Sequence, residues 1–232
     1  GVDPRRFGEY ATKSFLIKKN EEAYANVFTI HYPDEEREEG RPLRQAPCYD
    51  RLKNHGAVFG QKFGWERANW FAPNGVEQKD DWSFRRSKWF EHVGNECKNV
   101  QKNVGLLDMT AFAKCRISGP GAVSFLDNLV ANKLPKKNGR VNLCHALNTK
   151  GGVLSEYTIA KESDDSYYIV SAGAFQRLDH DWIHKWMPKD RSVTFENLTN
   201  SMGVLVVAGP KARDLMKKIS QEDFSNEKFP WL

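Results

Sequence analysis

The run Gly151-Gly152-Val153-Leu154-Ser155-Glu156-Tyr157-Thr158-Ile159-Ala160 hands a double-glycine turn into an alternating segment that carries one carboxylate. Val153, Tyr157 and Ile159 share one parity, and Leu154, Glu156 and Thr158 share the other. That alternation predicts a strand with one face on a core. Glu156 should therefore point away from the core, beside the turn. A carboxylate held on a rigid strand next to a flexible turn suits proton handling at an amine. The plainer alternative is a solvated surface glutamate, the usual state of that residue type.

Other candidates are weaker. His180 and His184 stand four apart on a predicted helix, flanked by Asp179 and Asp181. This spacing can put two imidazoles on one face for a metal, but the pattern lacks a third ligand, and two half-buried surface histidines explain it better. His145 precedes the turn and can either line a cavity or be a satisfied structural histidine. Ser118-Gly119-Pro120-Gly121 can open a helix onto a phosphate, though an ordinary helix start needs nothing more. Trp65, Glu66, Arg67 and Trp70 have no basic stripe beside them, so a packing plug between domains fits better than a nucleic-acid surface. Ser155 has no histidine adjacent in sequence, and no cysteine carries an electropositive motif, so no nucleophile set emerges.

Bulk properties narrow the classes. The chain has 232 residues, room for one large domain or one domain plus a piece of another. Its 35 Lys and Arg against 30 Asp and Glu give a formal charge of +5. The charges are interspersed, apart from the acidic patch at Asp34-Glu35-Glu36 and Glu38-Glu39. That texture reads as a water-facing surface, with a slight positive balance that favours a polyanionic ligand. No apolar run approaches the ~20 residues of a membrane span. Cys48, Cys97, Cys115 and Cys144 form no CxxC pair, so four reduced, mostly buried thiols are expected, not a zinc knuckle or a redox dithiol. Gly1-Val2-Asp3-Pro4-Arg5 and the closing Phe229-Pro230-Trp231-Leu232 read as internal sequence, so an internal fragment of a longer polypeptide is expected.

The elements needed to position Glu156 follow from the pattern. Phe7, Tyr10, Ala11, Phe15 and Leu16 predict a helix from Pro4 to Ala25, capped by Asp3. Val27 to Tyr32 reads as a strand, Pro33 to Pro47 as a linker, and Gly56 to Phe71 as an aromatic segment packed between layers. The texture changes at Ser83. A helix of Trp89 to Val104, capped by Ser87, precedes strands at Leu106 to Asp108 and Ala113 to Ile117, then a helix of Ala122 to Val130. Val141 to Leu147, Val153 to Ala160 and Tyr167 to Ser171 predict an antiparallel meander. A helix of Ala174 to Trp186, strands at Val193 to Leu198 and Val204 to Val207, and a helix of Pro210 to Ile219 complete an α+β order.

A resemblance sharpens this. The run Asn148 to Glu156 resembles the folate-binding segment of the glycine-cleavage T-protein family. Ser83-Phe84-Arg85-Arg86-Ser87-Lys88-Trp89-Phe90-Glu91-His92-Val93-Gly94 resembles the start of that module in the dimethylglycine and sarcosine dehydrogenase family. Leu129 to Pro135, Gly203 to Pro210 and Phe63 to Phe71 match in the same order.

The resemblance implies an α+β fold: the first part of a T-protein-like folate-binding module over residues 83–232, preceded over residues 1–80 by the tail and linker of an FAD-dependent oxidoreductase domain. It implies an enzyme that demethylates an N-methylated glycine with FAD. This part of the enzyme would pass the one-carbon unit to tetrahydrofolate, giving 5,10-methylenetetrahydrofolate, as in choline degradation. Glu156 stands where the T-protein family usually has Asp and is implied as the catalytic acid–base group, inside a cavity for the reduced pterin. Ser155, Glu156, Tyr157, Ile169 and Ser171 are implied folate neighbours, with Ser155 and Tyr157 offering backbone at most. No GxGxxG follows a strand here, so the chain itself is not expected to hold FAD. The family location is the mitochondrial matrix, or the cytoplasm in bacteria, with a flavoprotein electron acceptor, no metal, no nucleic acid and no membrane. Three related readings remain open: a sarcosine dehydrogenase, a non-catalytic regulatory subunit of pyruvate dehydrogenase phosphatase, and a freestanding aminomethyltransferase, against which the linker-like first 80 residues argue.

Overall fold

The computed structural model describes residues 8–230; Asp3, Pro4 and Phe7, read as part of the first helix, lie outside them. The described chain forms two compact units, one built on Thr110–Gly203 and the other on Glu9–Met109 with the segment from Val204 onward.

The first unit is a five-stranded antiparallel sheet under two helices. Its strands are β4 (Ala113–Ser118), β5 (Val141–Leu147), β6 (Val153–Ser163), β7 (Ser166–Ser171) and β8 (Thr194–Asn197), in the order β5-β6-β7-β4-β8. The predicted meander is present, since β5 pairs with β6 and β6 with β7. Helices α4 (Ala122–Leu129) and α5 (Gln176–Trp186) supply Phe125, Leu126, Leu129 and Ile183 to one core with Ile117, Cys144, Tyr157, Ile159 and Ile169. The helical residues recur at one-, three- and four-residue steps, so each helix presents one stripe to the sheet. Strand alternation supplies the sheet side. Gly119, at φ +112° and tight against the Ser192 carbonyl, lets β4 turn into α4 where a side chain has no room.

The second unit holds α1 (Lys13–Ala25), α2 (Tyr49–Asn54), the hairpin β1 (Ala57–Lys62) and β2 (Trp65–Phe71), and α3 (Trp89–Lys102). It also contains β3 (Gly105–Asp108) paired with β9 (Leu205–Ala208), and α6 (Ala212–Ile219). Trp70 is the centre of its small core with Val58 and Ala72, against Trp89 and Val93. The Trp70 Nε1–H donates to Asp80 at 2.8 Å and its ring stacks on His92. Arg44 lies 4.2 Å over the Trp65 ring. The Trp70 indole is thus satisfied inside this unit, whereas Trp65 Nε1 is buried without a hydrogen-bond partner.

Four local expectations are corrected. Helix α1 starts at Lys13, because Thr12 accepts from the Phe15 N–H and caps it there. Val27 to Tyr32 is not a strand: it has no pairing partner, and Phe28 and Ile30 stand almost fully exposed. Lys88, not Ser87, precedes α3, and no side chain caps it. Val153 is exposed despite sharing the parity of Tyr157, because a bulge leaves Leu154 as an extra residue between the pairs Ala146–Ser155 and Leu147–Val153.

Candidate functional site

The turn before Glu156 is organised by Asn148. Its Oδ1 accepts from the Lys150 and Gly152 N–H groups, and its own N–H donates to the Gly152 carbonyl at 2.8 Å. Gly151 takes φ +79°, which a side chain would strain. Asparagine does this because its short amide mimics a backbone turn. The turn is therefore held from within, and β6 leaves it in a fixed register.

That register sends adjacent residues of β6 to opposite faces. Ser155, Tyr157 and Ile159 are buried, while Glu156 and Thr158 are exposed. Glu156 stands directly across from His145 on β5. Its Oε2 lies 3.3 Å from His145 Nε2, with side-chain exposures of 60% for Glu156 and 38% for His145. Further along the same face, Thr158 lies between Leu143 and Val170. Beyond them Arg116 holds both oxygens of Glu162 (2.7 and 3.0 Å) and one of Glu196 (2.8 Å). This outer face is an open surface with a carboxylate–imidazole pair at one end and a guanidinium–carboxylate cluster at the other.

The remaining residues implied as folate neighbours lie behind it. Ser155, Tyr157, Ile169 and Ser171 are all buried on the inner face. Ser171 Oγ donates to Asp179 Oδ2 at 2.6 Å, and the Tyr157 hydroxyl donates to Asp179 Oδ1 at 3.4 Å. Asp179, at 2% exposure, is the centre of this cluster. Burial raises its carboxyl pKa above the usual range, partly offset by the hydroxyls of Ser171, Ser155 and Tyr157. Ser155 Oγ itself makes no hydrogen bond. Burial, with Asp179 close by, also pushes up the Tyr157 phenol and the Cys115 thiol, the latter to about 12. These groups form a structural network; their side chains do not reach the face that carries Glu156.

A cleft of about 290 Å³ opens beside the turn, lined by Phe125, Asn128, Leu147, Thr149, Trp182 and Trp186 among others. Glu156 is not part of its lining, so the expectation of a carboxylate inside a cavity is not met there. The cause is the strand alternation itself, which turns Glu156 to the uncovered face.

Both histidines of the pair are engaged within the fold. His180 packs edge-on to Phe195 and is pushed down to about 4, first by burial and then by His184. His184 Nδ1 bonds the His180 carbonyl instead of a ligand. No group of three metal-ligating side chains occurs among the described residues. All four cysteines are free, but only Cys115 and Cys144 are buried. Cys97 is exposed on α3, a helix with no buried residue. Cys48 donates to Asp108 and is raised to about 11 by burial and that carboxylate, which makes it a poor nucleophile.

Sequence reasoning missed Asp179, Asn148 as turn organiser, and the His145–Glu156 pairing. The position of Asp179 one turn before Ile183 places it on the buried stripe of α5, but its partners come from β6 and β7 and are not visible locally.

The match to known families follows this geometry. The model of the GCVT N-terminal domain matches residues 48–232, and that of the FAD dependent oxidoreductase central domain matches residues 1–46. The chain belongs to the GCVT N-terminal domain family. The two matches meet at residues 46–48, upstream of the change in texture at residues 80–83. Human mitochondrial dimethylglycine dehydrogenase is 36% identical over 100% of this chain, which covers 27% of that protein. The mouse mitochondrial pyruvate dehydrogenase phosphatase regulatory subunit is 30% identical over 100% of the chain, which again covers 27% of it. The chain thus spans about a quarter of the length of these curated relatives. Among solved structures, the glycine cleavage system aminomethyltransferase T from Bartonella henselae superposes with a TM-score of 0.62 at 19% identity, over 76% of this chain and 43% of that one. The GCVT fold expected from sequence is present, mixed helix and sheet included. No described helix is long and apolar enough to cross a membrane.

Proposed function

We propose that this chain is the one-carbon acceptor part of an N-methylglycine demethylating oxidoreductase of the dimethylglycine and sarcosine dehydrogenase family, acting on dimethylglycine to give sarcosine. The carrying observation is Glu156: a carboxylate projected from a register-locked strand, immediately after an internally pinned turn, onto an open face beside His145. The identity to human dimethylglycine dehydrogenase over the whole chain supports the substrate class.

FAD, bound elsewhere in the full-length protein, supplies the oxidation that makes a one-carbon unit at the formaldehyde level. Glu156 Oε2 takes the proton from the tetrahydrofolate nitrogen that attacks the formaldehyde-level carbon; attack by the second folate nitrogen, with loss of the carbon's oxygen as water, then closes 5,10-methylenetetrahydrofolate. Such help is worth roughly 10²–10⁴ in rate. Ser155, Tyr157, Ile169 and Ser171 act from behind, holding β6 and β7 rigid through Asp179. Residues 83–232 carry this acceptor part, and residues 1–80 link it to the oxidoreductase. The mitochondrial relatives support a matrix location, with electrons leaving through a partner flavoprotein.

The 30% identity to the phosphatase regulatory subunit favours a second reading, a non-catalytic protein that works through contacts. Calorimetric titration of the full-length protein with tetrahydrofolate separates the two. The catalytic reading predicts saturable one-to-one binding; absence of binding at millimolar ligand would overturn it and leave the regulatory one.

A further inference from the structure

We propose that His145 is the proton-relay partner of Glu156; this rests on the reading of Glu156 as the acceptor of the folate proton. The two side chains are cross-strand partners on β5 and β6, so the ladder itself fixes their spacing. His145 Nε2 sits 3.3 Å from Glu156 Oε2. Among the described residues its Nδ1 makes no hydrogen bond, which leaves that nitrogen for solvent. His145 is also the less exposed of the two side chains.

The need for a relay arises when the face is occupied. A bare glutamate at the surface returns its proton to water directly. Once a ligand as large as a reduced folate lies over Glu156, that route is closed. The protonated carboxyl must then discharge sideways before the next turnover. Imidazole is the side chain whose ordinary pKa suits such a transfer near neutrality. The steps balance. The folate nitrogen's lone pair forms the N–C bond to the formaldehyde-level carbon as the C=O π pair moves onto oxygen, which takes a proton from water; the N–H bond then breaks, its electrons stay on nitrogen and its proton goes to Glu156 Oε2. Glu156 then passes that proton to neutral His145 at Nε2, and the imidazolium releases the Nδ1 proton to water. A later tautomer exchange restores the acceptor nitrogen. The competing explanation is a surface ion pair, but exposed pairs of this kind contribute only about 0–1 kcal/mol. Removing His145 should therefore leave the fold intact.

The test uses the full-length protein with His145→Ala and Glu156→Gln variants. Methylene-tetrahydrofolate formation by His145→Ala should fall about 10- to 100-fold, with the KM for tetrahydrofolate unchanged and with partial recovery on adding free imidazole. Glu156→Gln should not respond to imidazole. Independently of turnover, carbethoxylation of His145 by diethyl pyrocarbonate, read by peptide mass spectrometry, should slow when tetrahydrofolate is bound. A normal rate in His145→Ala beside a crippled Glu156→Gln overturns the relay and leaves the Glu156 reading standing. A loss in His145→Ala that imidazole does not repair, or unchanged carbethoxylation, overturns the relay as well. A normal rate in Glu156→Gln removes both.

Discussion

Ser155 and Glu156 are neighbours on β6, yet Ser155 is withdrawn under two helices at 5% exposure while the Glu156 side chain stands 60% exposed. The inner face of the sheet gathers its polar groups around one buried carboxyl, Asp179, and surrounds them with aliphatic and aromatic packing. The outer face keeps His145–Glu156 and the Arg116 cluster partly in water, while Lys114, in register with Thr158 through Val170, is buried and donates to the Thr110 carbonyl. The difference separates two jobs. The inner face holds position, and its groups are too buried to meet a ligand. The outer face can meet a ligand, and its exposed groups contribute little to stability.

That division can be broken at several strengths. The largest effect belongs to the inner packing. Ile159→Ala, at a fully buried site, should cost about 3 kcal/mol in urea unfolding through lost burial and the cavity left behind. Thr158→Ala, one residue away on the outer face, should stay within about 0.5 kcal/mol. Equal costs at the two positions would contradict the division.

The next effect is polar. Asp179→Ala should cost about 2 kcal/mol, because the Tyr157 and Ser171 hydroxyls lose their acceptor in a buried place. Asp179→Asn should recover most of this. The pH dependence has a definite sign. The folded carboxyl pKa is raised, so its stabilising contribution is complete below the unfolded value of about 3.9 and is lost as pH rises through the folded value. The Asn variant should therefore gain on the parent as unfolding is repeated from about pH 4 to neutrality.

A smaller effect comes from His180. Its folded value near 4 lies below the ordinary one. Its contribution is present above the unfolded pKa of about 6.5 and is lost as pH falls through 4, on the order of 1–2 kcal/mol after allowing for partial exposure. His180→Gln should flatten that acid limb in a pH series of melts. The smallest effect is on the outer face. Arg116→Ala should cost under about 1 kcal/mol despite its three short contacts, and less in high salt. A cost above 2 kcal/mol would make the outer face structural too.

Much of this was legible in sequence. The meander β5-β6-β7, α4 and α5 follow from apolar periodicity, and the parity of β6 already set Glu156 outward and Tyr157 inward. What failed was set by long-range pairing. Val27 to Tyr32 has strand composition but no partner. Val153 has the right parity, but a bulge moved it to solvent. The helix stripe alone marks Asp179 as inward, but its role as shared acceptor depends on Tyr157 and Ser171 being brought to it from two strands. The pairing of His145 with Glu156 needed the register of β5 against β6, which a one-residue slip would have abolished.

The most direct test of Glu156 is the partition of the one-carbon unit by the full-length protein bearing Glu156→Gln, with dimethylglycine as substrate and tetrahydrofolate present. Substrate oxidation should proceed at the parent rate while methylene-tetrahydrofolate formation falls by roughly 10²–10⁴ and free formaldehyde appears in its place. Methylene-tetrahydrofolate formed at the parent rate, with no formaldehyde released, would contradict the account.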